Sequence, residues 1–380
     1  MKKTAVLLSA LTILFSCKKD NVNQTAKQFT DSLATTVNKS PNQGIILFSP
    51  YINATSGQIV ITDYQGHLVA KKSTSGPAYN FQRWNINGNI RYTYLVDDLN
   101  GYHIPGYSST MPGYVIETDE NLNEINRFYL LSSGTVDART NNMLDCHDFI
   151  LLSDNHYIGL AFREKIVTNI PGENGDSDKV IAPIIQEVNN GQVVWQWDAT
   201  DHPELYANSV ESNDFNQSTD QDYLHLNSMY LDPKDNNLIC SFRNANQIIK
   251  ISRQSGSILW KLGGNNSDFP ITNDQQFLRQ HCVTLHNDTL LIFDNGLYGV
   301  RNSTRIVEMK INEAAKTINY FSAVPVPGLF CQYMGSVQKI NGLYFVGGGT
   351  VNTILEFNPQ TGEKTFEMPI SGNSYRARKY

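Results

Sequence analysis

Apolar and polar residues alternate along this chain in short runs, and most runs end in a cluster of Gly, Pro, Asn or Asp. A period of two marks a strand with one buried face, and such clusters are where hairpins turn. Residues 222–264 carry the pattern most clearly. Strands are expected there at 225–231, 238–243, 247–252 and 257–262, separated by the turns Asp232-Pro233-Lys234-Asp235-Asn236-Asn237 and Arg253-Gln254-Ser255-Gly256. Four strands in about 40 residues is the size of one β-propeller blade.

An outer hairpin of the same kind recurs at 59–68, 115–125, 185–195, 248–260, 306–318 and 354–366. An inner hairpin precedes most of these, at 81–96, 147–162, 225–243, 281–294 and 333–346. Helical 3.6-residue periodicity is absent, which excludes a solenoid of helix pairs. The chain therefore reads as all-β, a six-bladed β-propeller over residues 43–380. Five blades are complete in sequence order. The sixth is expected from strands at 44–50, 58–63 and 67–72, with 375–380 closing the ring so that no sheet edge stays open.

The N-terminus has a different character. Lys2 and Lys3 precede an apolar run that ends in Leu14-Phe15-Ser16-Cys17. The run is too short to span a bilayer and reads as a lipoprotein signal peptide over residues 1–17, with Cys17 the lipidated residue. Residues 18–42 are polar and read as a flexible tether. The expected setting is the bacterial cell envelope, with the protein held to a membrane by its lipid on the periplasmic or outer-membrane face. Cleavage deepens the formal charge of −6, because it removes two lysines and no acid. An acidic chain without basic runs argues against nucleic acid as a partner. The other cysteines, Cys146, Cys240, Cys282 and Cys331, form no CxxC motif, and their spacing specifies no pairing.

His147, His225 and His281 each open the innermost strand of three successive blades. First strands run the same way along the central channel, so the three side chains should converge at one mouth. Arg243 ends the second strand of its hairpin and should emerge beside His225, while Asn227 shares a face with His225 by the two-residue period. Three histidines can hold zinc with one open position. A guanidinium aimed into the same space disfavours a dication, and no carboxylate accompanies the three, so an anion site is expected and no metal. Asp148 and Asp222 are expected to orient imidazoles as hydrogen-bond acceptors.

Asp222-Tyr223-Leu224-His225-Leu226-Asn227-Ser228, Ser241-Phe242-Arg243 and Gly256-Ser257-Ile258-Leu259-Trp260-Lys261-Leu262-Gly263 resemble segments of the bacterial arylsulfate sulfotransferases, PAPS-independent enzymes on a six-bladed propeller. The likeness continues through Cys146-His147-Asp148-Phe149, Arg279-Gln280-His281, Phe293-Asp294-Asn295-Gly296, Ser303-Thr304-Arg305-Ile306-Val307-Glu308 and Met334-Gly335-Ser336-Val337-Gln338, covering residue 44 to the C-terminus. The resemblance implies transfer of a sulfuryl group from a phenolic sulfate ester to a phenol, without a cofactor. It implies that His281 is transiently sulfurylated, that His147, His225 and Arg243 hold the sulfuryl oxygens, and that Asn227 accompanies them. Tyr223 and Tyr333 are expected at the mouth, against an aryl ring.

Two other function classes stay open. The hairpins ending in Trp195 and Trp260 also suit a quinoprotein-type dehydrogenase, although tryptophan hairpins are common packing in propellers and the histidines would then have no task. A non-catalytic propeller lipoprotein that binds a glycan or a protein is the other, and it would tolerate substitution of His281.

Overall fold

The structure, a computed structural model, describes residues 33–53, 55–105, 107–172, 177–216 and 219–380; the expected signal peptide and Cys17 lie outside these. Six antiparallel sheets form the blades of a β-propeller. The blade that carries the 222–264 pattern is Leu226–Leu231, Leu238–Phe242, Gln247–Ile251 and Ile258–Gly263, within a residue or two of the strands expected from sequence. The blade before it is Phe149–Ser153, His156–Val167, Asp178–Asn189 and Gln192–Asp198, and the blade after it is His281–His286, Thr289–Asp294, Arg305–Asn312 and Thr317–Pro325.

Local chemistry sets the hairpins. Tight turns of this kind need two successive residues at positive φ, which Asn-Gly accepts with little strain. Asn87-Gly88 takes φ values of 51° and 85°, and Asn341-Gly342 takes 46° and 83°. Each outer hairpin carries a register shift close to its turn, at Ile61/Thr62, Glu117/Thr118, Glu187/Val188, Lys250/Ile251, Lys310/Ile311 and Glu356/Phe357. A repeated bulge adds twist at the rim of every blade.

Closure follows the expected route. Asn373–Lys379 pairs with Ile45–Asn53, which pairs with Ser56–Asp63 and then Leu68–Thr74. Phe48 faces Ala377 and Ile46 faces Lys379 across the closing pair. Buried Lys379 reaches buried Glu356 of the preceding blade at 3.3 Å, which locks the two together. The expected tether to residue 42 is shorter in the structure. Val37–Asn38 adds a strand to the outer edge of the last blade, pairing with Glu367 and Phe366, and Asn42 is buried with its amide on Glu356 at 3.0 Å.

Apolar faces of neighbouring blades fill the space between sheets. Trp260, 1% exposed, packs edge-on to Phe269 at 5.8 Å, and Trp197 lies 6.0 Å from Phe242; complete burial of a side chain of this size is worth about 1.5–3 kcal/mol. Trp260 thus has a packing role, while Trp195, the other hairpin tryptophan singled out in the sequence, is only partly buried against the core. Polar side chains stitch the innermost strands: Gln82 Nε2 donates to Phe149 O (3.0 Å), Met229 N to Asp148 Oδ2 (2.8 Å) and Val283 N to Ser228 Oγ (2.9 Å). The four internal cysteines are all buried and free. Among the described residues no helix is long and apolar enough to cross a membrane.

Candidate active site

At the end of the channel where the innermost strands begin, the three histidines meet. His147, His225 and His281 are 2%, 5% and 3% exposed and line one cavity of about 410 Å³ together with Arg243. The rings of His147 and His225 stand 4.7 Å apart, edge to face at 88°. Phe162 stacks on His225 at 5.7 Å, and Tyr375 of the closing strand lies 5.5 Å from His147. Arg243 N donates to His225 O at 3.0 Å, so the hairpin ends sit together as their pairing requires. Tyr333 is half exposed at the mouth, its ring centroid 5.6 Å from the Arg243 guanidinium.

Each imidazole uses Nδ1 to hold an oxygen, but the partners differ. His147 Nδ1 meets Asp145 Oδ1, and His225 Nδ1 meets Asp222 Oδ2 at 2.6 Å. The Tyr107 hydroxyl donates to the same Asp222 oxygen. His281 Nδ1 instead meets neutral acceptors, Asn295 Oδ1 at 2.8 Å and Arg279 O at 3.0 Å. The Asn295 orientation is fixed because its Nδ2 donates to Cys331 O and Met334 O, both at 2.9 Å. His281 Nδ1 must then carry the proton and Nε2 the lone pair. Met334 N–H points at that lone pair from 3.3 Å.

Burial dominates the electrostatics. Desolvation, reinforced by Arg243, holds His281 well below 6.5, and desolvation with His147 and Arg243 does the same to His225. Desolvation also pushes Asp222 up to about 8. Asp222 and His225 therefore act as one unit. Below about pH 8 the pair holds a proton between Oδ2 and Nδ1 and keeps a second on Nε2, where it can be donated into the cavity.

Three expectations are corrected. Asp148 does not orient an imidazole. Its carboxylate takes Arg376 Nη1 (3.1 Å), Asn80 Nδ2 (3.1 Å) and Met229 N (2.8 Å), below the histidines, and Asp145 supports His147 in its place. Asn227 does not line the cavity; its Nδ2 donates to Gln280 O at 2.8 Å in the layer beneath. Tyr223 is fully buried against Tyr206 (4.6 Å) and Phe215 (6.1 Å), away from the mouth. The cause lies in the backbone. His225 has φ of 52° and the register shifts between Leu226 and Ser228, so the two-residue alternation fails where it was used to place Asn227.

Sequence reasoning also missed partners delivered by long loops. Tyr107 arrives from the segment after Asn89–Asp97, and Glu211 from the segment after Gln192–Asp198. Glu211 bridges two arginines, with Oε2 3.2 Å from Arg243 Nη1 and Oε1 2.5 Å from Arg279 Nε. The cavity is thus lined by two guanidinium groups and two carboxyl groups, those of Glu211 and Asp222, which corrects the expectation that no carboxylate accompanies the histidines. Arg279 and Asn295 did stand within the quoted motifs beside His281, so proximity in sequence was their available signal.

Among the described residues, Asp145, Cys146 and His147 have donor atoms within 4.8 Å of one another, the spacing of a metal set. The Asp145 and His147 atoms already bond each other, and burial pushes the Cys146 thiol far above its usual value. That donor set suits an intramolecular hydrogen bond better than a cation.

Three buried histidines and two arginines line one cavity, and the arylsulfotransferase (ASST) family model matches residues 18–380. The chain belongs to the arylsulfotransferase family. Membership carries arylsulfotransferase-type chemistry on small aryl molecules. Among curated proteins, none matches the sequence. Solved structures align over most of the chain at low identity. A Bacteroides caccae protein of unknown function aligns at 10% identity over 88% of this chain and 98% of that one, with a TM-score of 0.47. AztD from Citrobacter koseri aligns at 10% identity over 88% and 98%, with a TM-score of 0.39.

Proposed function

We propose that this arylsulfotransferase moves a sulfuryl group from a phenolic sulfate ester to a phenolic acceptor through a covalent sulfo-His281. The observation that carries the reading is the difference in Nδ1 partners. His281 is the histidine whose Nδ1 is held by an amide and a carbonyl, and its Nε2 lone pair, which accepts from Met334 N–H at 3.3 Å, must shed that contact to attack. A neutral imidazole is a competent nucleophile near pH 7. An amide partner, unlike a carboxylate, does not overstabilise the cationic ring formed on sulfuryl transfer, so the adduct remains a good leaving group.

In the first half-reaction Nε2 of His281 bonds to sulfur as the sulfur–oxygen bond to the aryl group breaks. The Asp222–His225 pair supplies a proton to the departing phenolate. Arg243 and His147 face the sulfuryl oxygens, where charge is spread in the transition state. In the second half-reaction the pair takes the acceptor phenol's proton, the phenol oxygen bonds to sulfur, and the nitrogen–sulfur bond breaks. Tyr333 at the mouth packs against the aryl ring. Anchoring through Cys17 belongs to the same proposal and places the reaction in the cell envelope; in Cys17→Ser the protein should move from the membrane to the soluble fraction.

4-Nitrophenyl sulfate given without acceptor should add one SO₃ unit to the peptide containing His281, read by mass spectrometry. His281→Ala should stay folded and lose both adduct and transfer. An adduct on another residue, or transfer surviving in His281→Ala, overturns the mechanism. Absence of any transfer by the folded wild type would favour a binding role.

A further inference from the structure

The central channel has a second mouth. On the far side of the layer formed by Tyr375, Arg376, Asp148 and Asn227 lies a cavity of about 500 Å³ that shares no lining residue with the histidine site. That volume falls within the range of small-ligand pockets. Arg83, Arg376 and Arg378 line it, and Asp148 is the one acid among its walls. Asp148 is already engaged with Arg376 at 3.1 Å. Nε of Arg376 and Nε of Arg378 are buried without a hydrogen-bond partner among the described residues. Arg376 is itself 2% exposed.

Buried guanidinium nitrogens without acceptors are costly unless something anionic completes them. The rest of the lining is largely apolar and aromatic, with Trp84, Tyr230, Leu151, Met229 and Val283. Tyr380 closes the rim, its ring 5.8 Å from the Arg83 guanidinium and its hydroxyl accepting from Arg83 N at 3.1 Å. Cations and flat apolar groups in one cavity match a molecule with a charged head and an aromatic body.

We propose that this far mouth is a second ligand site, for a small aromatic anion whose head group sits on Arg378 and Arg376 and whose ring lies against Trp84 and Tyr230. The site is separate from sulfuryl transfer and stands whether or not His281 is the nucleophile.

Naphthalene-2-sulfonate is a suitable probe, because its carbon–sulfur bond cannot donate a sulfuryl group. Titration calorimetry on the wild type should give two sites per chain. Arg83→Ala combined with Arg378→Ala should weaken one of them at least tenfold while the other site and the transfer rate are kept. Thr284→Glu, which sets a carboxylate in the same cavity, should independently abolish that same site. The retained site at the histidine mouth reports that each variant is folded. A single wild-type site lost in these variants would still be the far site and would count only against the histidine mouth; binding that is indifferent to both sets of changes, or no binding at all, overturns the proposal.

Discussion

Oε2 of Glu211 lies 3.2 Å from Nη1 of Arg243, in the place where an anionic substrate oxygen would approach that guanidinium. The carboxylate keeps the two rim arginines apart and cancels one of their charges, and it also competes with the substrate. Glu211→Gln keeps the hydrogen-bonding shape and removes the charge. The KM for an aryl sulfate should fall about three- to tenfold, roughly 0.7–1.4 kcal/mol, and inorganic sulfate should inhibit more strongly. An unchanged KM would mean that Glu211 swings clear before the substrate binds.

The cradle residues should matter in a graded way. His147→Ala, His225→Ala and Arg243→Ala should each cost about 2–4 kcal/mol of transition-state stabilisation, as loss of one preorganised donor does elsewhere. Steady-state kinetics on folded variants gives the number. A loss confined to KM in all three would reassign them to ground-state binding.

The pH profile has two expected edges. The nucleophile must be neutral, and His281 is held well below 6.5 by desolvation and Arg243. Activity should therefore persist from neutral pH down through 6.5 and fall only at lower pH. The Asp222–His225 pair must carry its extra proton to assist the leaving phenolate. Burial places the Asp222 proton loss at about 8, so that form is present below about pH 8 and lost as pH rises through it. kcat/KM for the donor reports both edges in the free protein. Asp222→Asn should remove the alkaline edge, and an edge unchanged in that variant would assign it elsewhere.

Gly335→Ala tests the floor under Met334. Gly335 has φ of +100°, and a Cβ there would lie 2.3 Å from the Phe293 ring. Phe293 pairs with His281 across the innermost hairpin. The substitution should destabilise the fold by about 1–3 kcal/mol and lower transfer at temperatures where the protein remains folded, because pushing Phe293 aside shifts His281, its partner across the hairpin. Thermal unfolding and kinetics together separate the two effects.

Dialysis against EDTA should leave transfer intact, since the Asp145 and His147 atoms that would ligate a cation bond each other. Activity lost to EDTA and restored by zinc would make His147, His225 and His281 ligands.

Hairpin order, turn positions and ring closure were legible in the sequence because they rest on local rules: a two-residue period, Asn-Gly turns, and strands that need partners. His147, His225, His281 and Arg243 were legible for the same reason, being strand-end residues at equivalent places. What local rules could not supply was the second partner of each ring. Tyr107 and Glu211 come from irregular loops whose path no periodicity records. Asp148 adjoins His147 and Asp145 stands two residues before it, and the three-dimensional position of Arg376 takes the nearer one away from the imidazole. Asn227 failed because alternation was extended across a residue with positive φ, and Tyr223 because its ring is taken up by Tyr206 and Phe215 from a segment that no periodicity records.

The closing strand ties competence to completeness. Asn373–Lys379 is the stretch of the ring that emerges from synthesis after every other strand, yet Tyr375 walls His147 and Arg376 answers the charge of Asp148. A fragment that stops short of it can build the histidine-bearing blades, but it leaves Asp148 buried without its cation and the first blade without its innermost strand. Prematurely terminated chains are thereby disarmed by the architecture itself, and the molecule has no active half-built form to release.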